Sequence, residues 1–229
     1  MSQAHSALDR HKSDYLHAVL NKDKGSAEEV IFRMIGEGLS LGDVYQVLGR
    51  AEVEVGALWE NGSITINDEH YATDITIGCV SMAAERLRTF TREPAGFAYL
   101  SPSDGEFHIV GLQMLSELLR GEGWETELRH SGTLQSALKV LTGRRVDLFC
   151  LSATMPSNVP RVAEAARVIR ATPAFKAAKI LVGGAAFEYG SSNSLRAKPD
   201  QTDLVDCLAS NFSEALEFVR AVGNRNHSA

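Results

Sequence analysis

A chain of 229 residues, 44% hydrophobic and 23% charged, has the composition of a folded protein and excludes a disordered one. Its length admits one large domain or two small ones, with core enough to dispense with disulfides or metal staples. The formal net charge of −6, from 23 basic and 29 acidic residues, excludes a broad nucleic-acid-binding face, because phosphate contacts need clustered Lys and Arg and pairs such as Arg144-Arg145 are short.

Taken in chain order, Met1 to Arg10 are polar and lack the apolar stretch of a signal peptide, which predicts a cytoplasmic protein. From about Asp9 to Phe90 the apolar residues recur at helical spacing. Leu8, Tyr15, Leu16, Val19 and Leu20 predict a first helix; Val30, Ile31, Met34 and Ile35 predict a second, closed by Gly36 and Gly38. A third runs from Leu41 to Trp59 with Ser40 as its N-cap, and Asn61-Gly62-Ser63 is a turn signal. A fourth covers about 67–90 with Ile75, Val80, Met82, Ala83 and Leu87 inward. Short connections make an antiparallel four-helix bundle the simplest arrangement for residues 1–93.

After Pro94, with Arg92–Ala95 as linker, the pattern changes. Short strand candidates at Phe97–Leu100, Glu125–Arg129, Val146–Leu151, Ile180–Val182 and Leu204–Val205 alternate with helical segments at about 107–121, 133–143, 158–171 and 211–222. That alternation predicts a doubly wound parallel sheet over residues 94–229. Ligands of such sheets bind at the carboxyl ends of the strands, here the loops beginning at Ser101, Ser152 and Gly183. No apolar run approaches the ~18 residues of a membrane helix. Cys79, Cys150 and Cys207 form no CxxC pair, so the sequence predicts buried, reduced thiols without structural zinc.

The first of those loops reads Gly105-Glu106-Phe107-His108-Ile109-Val110-Gly111. A carboxylate two residues before an imidazole can take one ring N–H, fix the tautomer and raise the basicity of the other nitrogen, which is what a metal-binding His requires. Gly111 lets the first helical turn pass close to something bulky. A phosphate-binding strand–loop–helix, or simply a polar loop, is the plainer reading of this segment taken alone. Forty residues lie between Gly111 and Ser152-Ala153-Thr154, and another 28 between Thr154 and Gly183-Gly184. A His, a hydroxyl and a glycine pair at the ends of neighbouring parallel strands outline one slot, able to take a long polar tail while the His holds its head group. Asp104 stands beside it, to contact such a ligand or to cap the following helix.

This set resembles the cobalamin-binding fold of methionine synthase and its relatives, whose pattern is Asp-x-His-x-x-Gly, then Ser-x-Leu, then Gly-Gly. The resemblance covers about 95–222. Glu106 stands where the pattern has Asp, and Thr154 where it has Leu. It implies that His108 binds cobalt in place of the cofactor's own dimethylbenzimidazole, that Ser152 hydrogen-bonds the displaced base, and that Gly183-Gly184 make room for the nucleotide tail. In the helical half, Trp59 is followed after nine residues by Glu69-His70. That arrangement resembles the B12-dependent photoreceptors of the CarH type and the related AerR-like and photocobilin-like proteins. There the Trp lies over the upper axial group and the Glu and His border the 5′-deoxyadenosyl moiety. A packing pair of helix ends is the plainer reading of the same residues.

Two departures matter. Glu60 follows Trp59 where DNA-binding members carry a His, so a bis-His adduct after photolysis is not expected. About ten residues precede the first expected helix, too few for a helix-turn-helix domain. The resemblance therefore implies a stand-alone adenosylcobalamin light sensor, not an enzyme, whose output is a changed homo-oligomer or a transcription-factor or effector partner, without direct contact to DNA. The alternatives are a corrinoid protein of a methyltransferase system and a cobalamin carrier. A bilin as second chromophore occurs among photocobilin-like relatives, and no motif for one is visible. His130 follows the second strand near its carboxyl end, to approach the corrin or a second ligand or, more plainly, as an exposed loop histidine, and His5, His11 and His17 are spaced six apart, too loosely for a metal pair on one helix face.

Overall fold

The computed structural model describes residues 2–87, 94–187 and 204–226. The chain divides into two compact units on either side of residue 88. The expected linker residues 92 and 93, and the end of the fourth expected helix at 88–90, lie outside the described residues.

The first unit is four helices: α1 (Ser2–Leu20), α2 (Lys24–Gly36), α3 (Leu41–Glu60) and α4 (Ile66–Leu87). Its core is the apolar stripe of each, with Tyr15, Ile31, Met34, Tyr45, Leu48 and Val80 fully buried. Ser40 starts α3 through a reciprocal capping box with Asp43. Thr65 and Asp68 do the same for α4, Thr65 N donating to Asp68 Oδ2 at 2.9 Å and Asp68 N to Thr65 Oγ1 at 3.3 Å. The helix α1 starts at Ser2, well before the expected start near Leu8, so the allowance of about ten preceding residues is corrected. The added turns are read poorly by periodicity, since Ser2–Ala7 carry Ala and Gln, good helix formers, without an apolar stripe.

The second unit is a five-stranded, wholly parallel sheet of order β2-β1-β3-β4-β5. In sequence it runs β1 (Gly96–Pro102), α5 (Val110–Gly121), β2 (Trp124–Leu128), α6 (Leu134–Leu141), β3 (Leu148–Ser152), α7 (Val159–Ala171), β4 (Lys179–Gly183), β5 (Cys207–Leu208) and α8 (Phe212–Asn226). All five residues of the central β3 are buried, because helices cover both faces of the sheet. On one face Phe149 meets Tyr99 and Phe175 edge-on at 6.2 and 5.1 Å. On the other lie Leu100, Leu119, Trp124, Cys150, Leu181 and Val219. Burial pushes the Cys150 thiol far above its usual range, which keeps it inert. The strand order reverses between β1 and β3, so the carboxyl ends of these two strands flank the crevice where such sheets bind ligands.

The fifth strand lies three residues beyond the expected Leu204–Val205. Leu204 and Val205 pack against the core instead, while Asp206 accepts from Ile180 N at 2.9 Å and Cys207 pairs with Leu181. The helix expected from 107 begins at Val110, because residues 106–109 are committed to a loop with its own hydrogen bonds. No helix among the described residues is long and apolar enough to cross a membrane.

Candidate functional site

At the carboxyl edge of β1 the chain turns back at Ser103, where Glu106 N donates to Ser103 O at 3.0 Å and Gly105 takes φ +81°. A side chain at Gly105 would meet both that left-handed conformation and the Arg161 guanidinium. The turn delivers the Glu106 carboxylate into the interior, 6% exposed, where five donors converge on it. Oε1 accepts from His108 N at 3.2 Å and from His108 Nδ1. Oε2 accepts from Thr154 N at 3.0 Å, Met155 N at 3.2 Å and Asn158 Nδ2 at 3.0 Å, all across the sheet in the β3–α7 segment. Burial alone would raise the carboxyl's pKa, but the bonds from His108, Asn158, Met155 and Thr154 outweigh it and hold the group at about 2. Glu106 is therefore ionised and acceptor-only at neutral pH, so the shared proton sits on His108 Nδ1. His108 itself keeps 42% of its side chain exposed, and Phe107 beside it is 89% exposed.

Ser152 ends β3 between Pro102 of β1 and Gly183 of β4. Among the described residues its buried hydroxyl has no hydrogen-bond partner, and neither has that of Ser103, whose N–H donates to Ser152 O at 2.9 Å. Such orphans cost about 1–3 kcal/mol each and call for an explanation in a native fold. Gly184 has φ +108°, and a Cβ there would stand 2.3 Å from Ala153 O, a backbone atom that cannot yield. Gly184→Ala should thus destabilise this unit by roughly 3 kcal/mol, read as a lower thermal midpoint, through strain and clash together. Gly183 is less crowded, its Cβ position 3.4 Å from Ala209 O, and at Gly111 a Cβ would meet nothing. Thr154 acts through its backbone N–H, which is why a Thr in place of Leu leaves the contact intact.

Asp104 is engaged within the protein: Oδ1 accepts from Leu134 N at 3.0 Å, at the start of α6, and lies 2.9 Å from Arg129 Nη2. It caps a helix, though α6 and not the α5 that follows it. Arg129, buried at 8%, also donates to Ser101 Oγ at 2.8 Å and to the carbonyls of Pro102 and Gly132. Arg161 donates to Asp104 O at 2.8 Å and to Asn158 Oδ1 at 3.0 Å. Asn158, Arg161 and Arg129 are absent from the expected site residues. The available signal for Asn158 was an Asn immediately before Val159-Pro160, which reads as an N-cap; the side chain makes no capping bond and turns to Glu106 instead. His130 is exposed.

In the first unit Trp59, half-buried, and exposed Glu60 end α3, while Glu69 lies in the first turn of α4 and His70 directly follows it. Glu69 Oε2 is 3.4 Å from His70 Nε2; the Glu side chain is 12% exposed and the His 67%. The start of α4 is tied to the turn between α1 and α2 by Lys22, whose Nζ is 2.8 Å from Asp68 Oδ1 and 5.7 Å from the centre of the Tyr71 ring. Lys22 adopts φ 59°, unusual for a non-glycine residue.

Among the described residues no group of three or more His, Cys, Asp or Glu is set to hold a bare metal ion. One imidazole suffices where the metal arrives with its other ligands already in place. Comparison with known proteins points the same way. A family model described as a B12 binding domain matches residues 98–217, and a second of the same description matches residues 12–83. No curated protein matches. Among solved structures, the Methanosarcina barkeri monomethylamine corrinoid protein superposes with a TM-score of 0.70 at 18% identity, covering 91% of this chain and 96% of that one. A cobalamin-binding protein from Desulfitobacterium hafniense DCB-2 gives a TM-score of 0.47 at 13% identity, over 93% of this chain and 98% of that one. The methanol:cobalamin methyltransferase complex of Methanosarcina barkeri gives 0.43 at 15%, over 94% and 80%. With one model spanning more than half of its length on the sheet domain and a second on the helices, the chain belongs to the B12 binding domain family.

Proposed function

We propose that His108 is the protein's lower ligand to the cobalt of a corrinoid, and that Trp59, Glu69 and His70 contact the upper ligand, a 5′-deoxyadenosyl group whose release by light is the signal. The observation that carries the lower half is the Glu106–His108 clasp: an ionised carboxylate holds Nδ1–H, so Nε2 is the nitrogen that presents a lone pair to metal. Two further features fit the same group. The orphaned Ser152 hydroxyl gains a partner in the displaced base, and the open space beside Gly111 leaves room for bulk at the start of α5. Phe107 offers an apolar face beside the ring it would meet.

When bound, the cofactor supplies a light-labile cobalt–carbon bond. The chain's own tasks are to hold cobalt on His108, to keep that imidazole in one tautomer through Glu106, and to contact the upper group differently before and after it leaves. Only such differential contact can shift a conformational equilibrium. The output is then a change of association, with itself or with a regulatory protein, and no turnover is asked of the chain.

A second reading, a corrinoid protein of a methyltransferase system, has the whole-chain likeness to the monomethylamine corrinoid protein in its favour. The comparisons lean towards it; the Trp59…Glu69-His70 spacing leans towards the sensor. Protein reconstituted with adenosylcobalamin in the dark, then exposed to green light, separates them. The sensor reading expects a photolysed spectrum together with a changed size-exclusion profile, alone or with a candidate partner. A clean photolysis spectrum with identical profiles throughout, or preferential uptake of methylcobalamin, gives the place to the methyl-transfer reading.

A further inference from the structure

Behind Glu69 a chain of hydroxyls runs into the helical core. Tyr15 OH donates to Thr76 Oγ1 at 3.0 Å, and Thr76 Oγ1 donates to Glu52 Oε1 at 2.7 Å. On the other carboxylate oxygen, Thr73 Oγ1 donates to Glu52 Oε2 at 2.9 Å, and the same hydroxyl stands 3.4 Å from Glu69 Oε1. Tyr15 and Thr76 are fully buried, and burial pushes the Tyr15 phenol well above its usual range, so it remains a donor. Thr76 Oγ1 also lies 3.0 Å from Ala72 O, and Glu52 Oε1 at 2.7 Å is the nearer of its two acceptors.

A hydroxyl has one proton to give. Thr73 gives its own to the nearer oxygen, that of Glu52, and turns lone pairs towards Glu69. We propose that Glu52, acting through Thr73, is a positioning residue that draws the Thr73 proton away from Glu69 and leaves Glu69 Oε1 open to a donor from the ligand, and so makes the first turn of α4 select an upper ligand that carries hydroxyl or amine protons over one that carries none. This rests on the reading of Glu69 as an upper-ligand contact. Neither Glu52 nor Thr73 reaches the ligand.

Glu52→Gln reverses the Thr73 end of the hydroxyl chain, while its amide oxygen keeps the bond from Thr76. The new amide N–H points at Thr73 Oγ1, and the Thr73 proton turns outward to Glu69 Oε1, which then has a donor from within. Affinities of the full chain for adenosylcobalamin and methylcobalamin, titrated by absorption in the dark, measure the effect. Wild type is expected to prefer the adenosyl form, and Glu52→Gln to lower the adenosyl-to-methyl ratio about tenfold, the loss of one hydrogen bond to a charged group. Methylcobalamin affinity and helix content stay unchanged. The drop should persist in a Thr73→Ser background and vanish in Thr73→Val, since the effect travels through that hydroxyl. An unchanged ratio in Glu52→Gln, or the same drop in Thr73→Val, overturns the proposal while leaving the upper-ligand reading standing. Wild type that binds methylcobalamin tightly yet shows no adenosyl preference overturns both, and wild type that binds no corrinoid overturns the His108 site.

Discussion

His108→Ala abolishes the base-off, His-on absorption spectrum and weakens corrinoid retention by on the order of a hundredfold or more, at least the effect of losing an outer partner of a metal ligand. The expectation follows from the way His108 is held. Glu106 takes Nδ1–H, the exposed side chain projects from a loop pinned at both ends, and the described residues hold no metal-binding cluster to take its place. The fold should survive the change, because a side chain with 42% exposure contributes little to the core. Spectroscopic titration with hydroxocobalamin, alongside circular dichroism, checks both halves. A mutant with the wild-type spectrum and affinity would remove His108 from the site.

Glu106→Gln is expected to damage the protein in a different way. Five donors converge on the carboxylate, three on one oxygen and two on the other. An amide can present its oxygen to one group only, and its NH2 then faces donors on the other side. Leaving buried donors mispaired costs about 3 kcal/mol, so the thermal midpoint should fall even without corrinoid. If the amide nitrogen turns to His108, Nδ1 becomes an acceptor and the ring proton moves to Nε2, which can then no longer ligate without losing it. Corrinoid affinity should fall roughly 10–100-fold in consequence. Glu106→Asp retains the charge but is one methylene shorter and cannot span to Thr154, Met155 and Asn158 while holding His108. It should lose stability with less effect on the tautomer. Denaturant melts and titrations of the two variants separate these effects; equal stability of Glu106→Gln and wild type would refute the argument.

The parts of the molecule that repeat were legible in its sequence. The caps Ser40 and Asn61-Gly62 and the 3.6-residue apolar stripes mark α2 to α4, and the alternation of strands and helices after Pro94 marks the parallel sheet. The fifth strand was misread because two apolar residues, Leu204 and Val205, advertise a strand more strongly than Cys207 and Leu208, which pair only by virtue of Asp206 docking on Ile180. At the site, Glu106, His108, Ser152 and Gly183-Gly184 could be found because their spacing along the chain is itself the pattern. Asn158 and Arg129 could not, because each acts on a partner 52 or 28 positions away in sequence, and nothing local marks a contact made by folding. Glu52, Thr73 and Thr76 were hidden for the same reason: they meet across two helices at positions that read as ordinary polar surface. The spacing of Gly184 was legible, but its physical reason was not. The glycine answers to Ala153 O, a neighbour within the fold, before it answers to any ligand.

Because one carboxylate gathers the β1–α5 loop and the β3–α7 loop, the two segments give up their freedom when the protein folds and not when it meets its ligand. The entropic penalty of arranging the site is thereby taken out of the encounter. Association should then be governed by the slowest rearrangement of the incoming molecule itself, the detachment of its own base, and not by loop closure. Differences in affinity among variants of the surrounding residues should appear as differences in residence time, with the arrival rate nearly constant.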